Sequence, residues 1–256
     1  MLQFHEIIYG PVYSRRLGNS LGVNLLPIDA KICTFNCIYC ECGFNTTMRE
    51  FPMPNRADIK RALEEKLKIL QVENQTIDVI TFAGNGEPTI HPEFEGIIDD
   101  TIELRNRFSP KTKISVLTNS TQIFRPQVFS ALMKIDMAIL KLDSAFDKTM
   151  RLVDQPIRHD FSVDWLVENL QHFEDKLIIQ TMFLRGSHNG ENFDNTTEKE
   201  ISAYLNVLKK LKPQKVMIYT IDRETPIKSL QKIPLEELEK IAEKIRKIGF
   251  DVSVSG

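Results

Sequence analysis

Three of the chain's four cysteines fall within eight positions, as Cys33-Thr-Phe-Asn-Cys37-Ile-Tyr-Cys40, a C-x3-C-x2-C spacing. Thiolates that close together on one loop can hold three irons of a [4Fe-4S] cube, a cluster that normally takes four cysteine ligands. The fourth iron is then left without a protein ligand and open to a small molecule. A structural zinc loop is the competing reading, but closed zinc sites want four ligands, usually as paired knuckles. Cys42 would have to supply the fourth, with no second C-x2-C and no His pair nearby. Cys33, Cys37 and Cys40 are therefore the expected metal ligands. Cys42 itself is either structural or a reactive thiol near the substrate, which would need an electropositive setting.

A second stretch with chemistry is Gly84-Asn-Gly86-Glu87-Pro88-Thr89. Gly, Asn and Pro are turn residues, so a plain strand-to-helix turn is one reading. The same glycines let backbone approach a ligand closely, and Glu87 offers a carboxylate to an ammonium group. Thr118-Asn119 and Lys141-Leu-Asp143 end two later apolar runs. Asn or Asp at such a place also serves as a helix cap or turn residue. Arg15-Arg16 is either a solvated pair or an anion clamp, since arginine presents a planar fork to carboxylate or phosphate. The polar run 185–197, which contains His188, is long for a connection and reads as a lid or binding loop.

These residues need elements to hold them. Residues 1–20 read as irregular, because Gly10-Pro11 and Leu17-Gly18 punctuate turns. Leu21–Leu26 reads as the first buried strand, stopped by Pro27 and followed directly by the cysteine loop. Further apolar strands are expected over Ile77–Ala83, Lys113–Leu117, Met137–Leu142, Leu177–Leu184 and Lys215–Thr220. Asn55 caps a helix with an apolar stripe of Ile59, Ala62, Leu63, Leu67 and Leu70. Helices follow from Pro92 to Phe108, from Pro126 to Lys134 and around Trp165–Phe173. Thr197 and Glu200 form a capping box, and the last helix runs from Pro234 to a stop at Gly249. Val252 and Val254 add a short final strand.

Strands thus alternate with helices six times without a linker or repeat, which argues for a parallel sheet covered by helices. Six units are too few for the eight of a closed barrel. The expected fold is α/β, a partial (β/α)6 barrel of TIM type, in one domain over 1–256 with 1–20 as an N-terminal extension. In such a barrel the strand ends converge on one face, so the cysteine loop, the Glu87 turn, Asn119 and Asp143 can share a site.

A chain of 256 residues with 42% apolar content can bury a sizeable core. The net charge of −2 provides no whole-protein field for nucleic acid. No apolar stretch approaches the ~20 residues of a membrane span. No signal peptide is evident, and clustered reduced thiols fit the cytoplasm.

The C-x3-C-x2-C loop with Tyr39 before its last cysteine resembles that of the radical S-adenosylmethionine (SAM) superfamily. The resemblance implies the same partial barrel. It also implies a [4Fe-4S] cluster whose open iron binds SAM, and reductive cleavage of SAM to a 5′-deoxyadenosyl radical that takes hydrogen from substrate. Gly86, Glu87 and Pro88 align with the superfamily's Gly-Gly-Glu turn, which holds the SAM amino group; Asn85 replaces its first glycine. By the same resemblance Asn119 and Asp143 are candidates for the SAM ribose or carboxylate, Arg185 for the carboxylate, and Tyr39 for the adenine or for packing on the cluster. The opening Gly10-Pro-Val-Tyr-Ser-Arg-Arg-Leu-Gly18, the run Ser20–Pro27 and Tyr219-Thr-Ile-Asp-Arg223 are similar to a family often labelled as related to wyosine synthases, which modify tRNA. A small-molecule substrate, nucleobase-like or another heterocycle, and a reductant such as flavodoxin or ferredoxin are the expected partners. Modification of tRNA and activation of a partner enzyme are the alternatives; the acidic balance and the absence of a second cysteine cluster count against tRNA.

Overall fold

The computed structural model describes residues 2–46 and 52–256; Met1 of the expected extension lies outside them. In chain order the elements are β1 (Ile8–Ser14), β2 (Gly18–Val23), α1 (Arg56–Val72), β3 (Val79–Phe82), α2 (Phe94–Phe108), β4 (Lys113–Thr118), α3 (Pro126–Lys134) and β5 (Met137–Lys141). There follow α4 (Asp147–Asp154), α5 (Val163–Leu170), β6 (Ile178–Met182), β7 (Leu184–His188), β8 (Glu191–Asp194), α6 (Glu198–Leu211), β9 (Lys215–Tyr219), β10 (Gln231–Lys232), α7 (Leu235–Lys247) and β11 (Val252–Ser255).

One curled sheet of eight strands has the order β1-β2-β3-β4-β5-β6-β9-β11. From β2 to β11 every pairing is parallel, and β1 alone is antiparallel, on β2. The six strands β2, β3, β4, β5, β6 and β9 are those expected of a partial (β/α)6 barrel, and β11 extends the far edge. Side chains alternate across each strand. Val116, Leu140, Ile179 and Ile218 point outward into the core shared with the helices. Ile139, Ile178 and Met217 face inward and form a separate apolar floor in the lumen. The helices earn their places by periodicity: α1 buries Ile59, Leu63, Leu67 and Leu70 on one stripe, each contributing about 1.5–3 kcal/mol relative to exposure. Its Asn55 cap accepts from the Asp58 amide at 2.9 Å, as the sequence implies.

Three expectations are corrected. Of the stretch expected to be irregular, residues 2–7 carry no strand or helix, but β1 and β2 form a hairpin whose strands begin well before Leu21. Asn24, Leu25 and Leu26 leave the sheet, and the Asn24 amide bonds the Leu26 carbonyl at 3.0 Å. The polar run 185–197 is not one long loop: β7 and β8 pair as a hairpin and β10 adds a third strand. Among the described residues no helix is long and apolar enough to cross a membrane.

Candidate functional site

The cysteine loop leaves β2 over the C-terminal ends of the strands and is stitched down on two sides. On one side Ile32 bridges Gly86 in parallel, with Ile32 N bonded to Asn85 O at 2.9 Å and Glu87 N to Ile32 O at 3.2 Å. A Cβ at Gly86 would overlap the Ile32 carbonyl, and its φ is +139°, so glycine is required there. On the other side Phe35 bridges Pro156, Asn36 N reaches Asp154 O, and Ile38 N reaches Val153 O at 3.0 Å. This second seam comes from the end of α4, a helix the sequence reading did not include.

Glu87 is buried and its carboxylate is taken up by four donors. Thr89 N (3.1 Å), Thr89 Oγ1 (2.5 Å) and Thr118 Oγ1 (2.7 Å) bond Oε1, and Asn119 N (2.7 Å) bonds Oε2. Burial still pushes its pKa up against those donors. The carboxylate therefore acts as a strut that locks the end of β3 to the end of β4, while Pro88 opens a short 3-10 turn capped by Glu87. Asn119 carries the lock onward: its Nδ2 bonds Thr34 Oγ1 at 2.8 Å and points at Cys33 Sγ at 3.5 Å. The Phe35 amide also points at Cys33 Sγ at 3.5 Å.

Tyr39, Lys141, Asp143 and Asp154 form a buried polar group beneath the loop. The Lys141 ammonium lies 3.0 Å from Asp143 Oδ2 and 3.7 Å from Asp154 Oδ1. The Tyr39 hydroxyl bonds Asp143 and Lys141, and lies 3.3 Å from Asp154 Oδ1. Cys37 Sγ donates to Asp154 Oδ1 at 3.5 Å. Burial, and then Asp143, push Asp154 well above the carboxylate range. Burial opposes the charge on Lys141, yet Asp143, Cys37, Tyr219 and Asp154 together hold its pKa well above that of an ordinary lysine. Tyr39 thus serves this group through its hydroxyl.

Arg185 stands elsewhere. Its guanidinium pairs with Glu237 and with Asp194 (3.4 Å), and bonds Thr196 Oγ1 at 2.9 Å, so it does not join the Cys33, Glu87, Asn119 and Asp143 group. His188 pairs with Gln155 at 2.8 Å. Asp154 is the residue the sequence reading missed. Met150 and Val153, three apart on one buried face of α4, were the available signal.

The thiols fit a cube better than a single ion. Among the described residues no three His, Cys, Asp or Glu groups converge as one zinc ion requires. A cube spreads its three thiolates over separate iron corners, and the Asn119 side-chain amide and the Phe35 N–H both aim at Cys33 sulfur, as donors around a thiolate ligand do. Burial, helped by Glu87, pushes Cys33 up to about 12, and burial likewise holds Cys37 well above the ordinary thiol value, so a metal that bound these thiols would have to displace their protons. Cys40 is drawn down to about 6 by its bond from Cys42, against burial and with Lys31 assisting. Cys42 also reaches Gly84 O at 3.5 Å.

Residues 28–199 match the family model described as Radical SAM superfamily, more than half of the chain. The chain belongs to the radical SAM superfamily. The UPF0026 protein of Methanocaldococcus jannaschii is 33% identical over 243 residues, 92% of this radical SAM chain and 70% of that protein. A Brachyspira hyodysenteriae protein named GTPase Obg is 30% identical over 236 residues, 91% of this chain but 32% of that protein. This chain therefore spans about a third of the latter's length. The structure of Streptococcus suis SuiB bound to S-adenosylmethionine superposes with a TM-score of 0.64 at 15% identity, over 93% of this chain and 52% of that one. At that identity the likeness is one of fold.

Proposed function

We propose that this radical SAM enzyme binds a [4Fe-4S] cluster through Cys33, Cys37 and Cys40 and cleaves SAM to act on a small molecule held in the barrel lumen. The observation that carries this reading is the joint placement of the three-thiol loop, the Gly86-Glu87 turn and Asn119, tied together by the Glu87 strut and the Ile32 seam. When bound and reduced, the cluster supplies the electron that breaks a C–S bond of SAM and frees a 5′-deoxyadenosyl radical to take hydrogen from substrate.

The chain's own part is to position and to exclude water. Glu87 fixes where Asn119 sits, and Asn119 in turn orients Cys33. With Glu87 occupied by four donors, the turn offers a ligand its backbone, brought close by Gly86. Asp143 and Lys141 occupy the top of the lumen beside Cys37 and make it polar above the Ile139, Ile178 and Met217 floor. A nucleobase-like heterocycle is the substrate class we favour, with flavodoxin or ferredoxin as reductant.

The test is anaerobic reconstitution and reduction, followed by chromatography for 5′-deoxyadenosine, with Cys37→Ala as control. Cleavage that is lost in the variant supports the reading. A loaded cluster that never cleaves SAM, or a protein that takes up zinc alone, would sink it.

A further inference from the structure

The turn between β1 and β2, Arg15-Arg16-Leu17, crosses the side of the barrel that the sheet leaves unpaired. Leu17 packs onto the Ile139, Ile178 and Met217 floor. Arg15 bonds the Gly256 carbonyl at 2.7 Å and pairs with Asp222 at 3.3 Å. Arg16 turns inward: Nη1 donates to Gln180 Oε1 at 2.8 Å, and its Cζ lies 4.4 Å from the centroid of the Tyr219 ring. Gln180 stands in register between Lys141 on β5 and Met217 on β9, on the lumen face.

The two neighbouring cations are compensated. Arg15 has Asp222, and Lys141 has Asp143 and Asp154. Arg16 has a neutral amide and an aromatic face, and among the described residues no carboxylate lies within ion-pair distance of it. A guanidinium carries five N–H donors in a rigid fork suited to a planar or tetrahedral oxoanion. Four of those donors have no protein acceptor among the described residues. A partly buried cation without a counter-ion is costly, and a substrate anion would reduce that cost.

We infer that Arg16 is the substrate-binding cation of the lumen, and that the substrate carries a carboxylate or phosphate group which its guanidinium receives beside Gln180 and Tyr219. The inference rests on the proposed function, because it takes the lumen to be the substrate chamber. It narrows the substrate class to an anionic small molecule. The guanidinium enters from the end of the strands where β2 begins, whereas the thiol loop follows the other end of β2.

The experiment is calorimetric titration of the reconstituted protein with inorganic phosphate and, separately, with malonate, using chloride as the control for charge alone. Saturable binding of at least one oxoanion is expected, weakened about 10- to 100-fold in Arg16→Gln, the range for a lost charge-assisted hydrogen bond. Arg16→Lys, which keeps the charge without the fork, should fall between, and Arg15→Gln should bind like the native protein. Added SAM should leave the affinity unchanged. Absence of saturable binding, native affinity in both Arg16 variants, or displacement of the anion by SAM would each overturn the inference. Should Arg16→Gln fail to fold, the Arg16→Lys and SAM arms decide. SAM cleavage measured on the same samples keeps the two readings apart: cleavage without anion binding refutes Arg16 alone, whereas anion binding without cleavage refutes the radical reaction.

Discussion

Lys141→Met removes the ammonium from a group where Nζ lies 3.0 Å from Asp143 Oδ2 and 3.7 Å from Asp154 Oδ1, with the three side chains 10%, 1% and 1% exposed. At an effective dielectric near 20, the attraction to Asp143 alone is about 5 kcal/mol. Removing one partner of a buried pair typically costs about 3–5 kcal/mol, and we expect a loss in that range at pH 7. Urea unfolding followed by circular dichroism should show the midpoint falling by about 1 M or more. The pH dependence has a definite sign. Carboxylates stripped of their counter-ion have folded-state pKa values above the unfolded value of about 3.9, so the folded variant binds more protons than its unfolded chain and gains stability as pH falls. In the native protein the lysine contribution is fully present below about 10.4 and so does not change between pH 7 and 5, while the raised Asp154 pKa acts in the native protein and the variant alike. The deficit of the variant should therefore shrink at pH 5, and Asp143→Asn added to Lys141→Met should recover more than about 1 kcal/mol at pH 7. A loss below about 1 kcal/mol at pH 7, or a deficit equal at both pH values, would refute the reasoning.

Two further outcomes follow from the loop's anchoring. Gly86→Ala forces a Cβ into the Ile32 carbonyl at a φ of +139°, and should unseat the cysteine loop, with iron content after reconstitution falling well below that of the native protein. Cys42→Ser should load the same iron as the native protein, read by the ratio of iron to chain, because the fourth thiol lies against Cys40 and Gly84 outside the three-ligand set.

Most of the barrel was legible because its strands are short apolar runs separated by well-capped helices, and that pattern survives into the sheet. The thiol spacing and the Gly86-Glu87 turn were legible for a similar local reason. What escaped depends on distant partners. The β1 strand escaped because Gly10-Pro11 and Gly18 read as breaks, while its pairing is supplied by β2. The β7–β8 hairpin is polar and half exposed, so it carries little alternation to read. Asp154 ends an eight-residue helix and gains meaning only when Cys37 and Tyr39 close on it from over a hundred positions away. Arg185 was drawn toward the site by its place after a strand, yet Glu237 from α7 holds it.

The Arg15 contact with the Gly256 carbonyl joins positions 241 residues apart. On the ribosome, at roughly 5–20 residues per second, the first hairpin emerges many seconds before that partner strand exists. Until then Leu17 and Arg16 have an incomplete lumen to enter, and the nascent half-barrel keeps an open flank. Synthesis order thus keeps the floor of the lumen open until Met217 has followed Leu17 out by 200 residues.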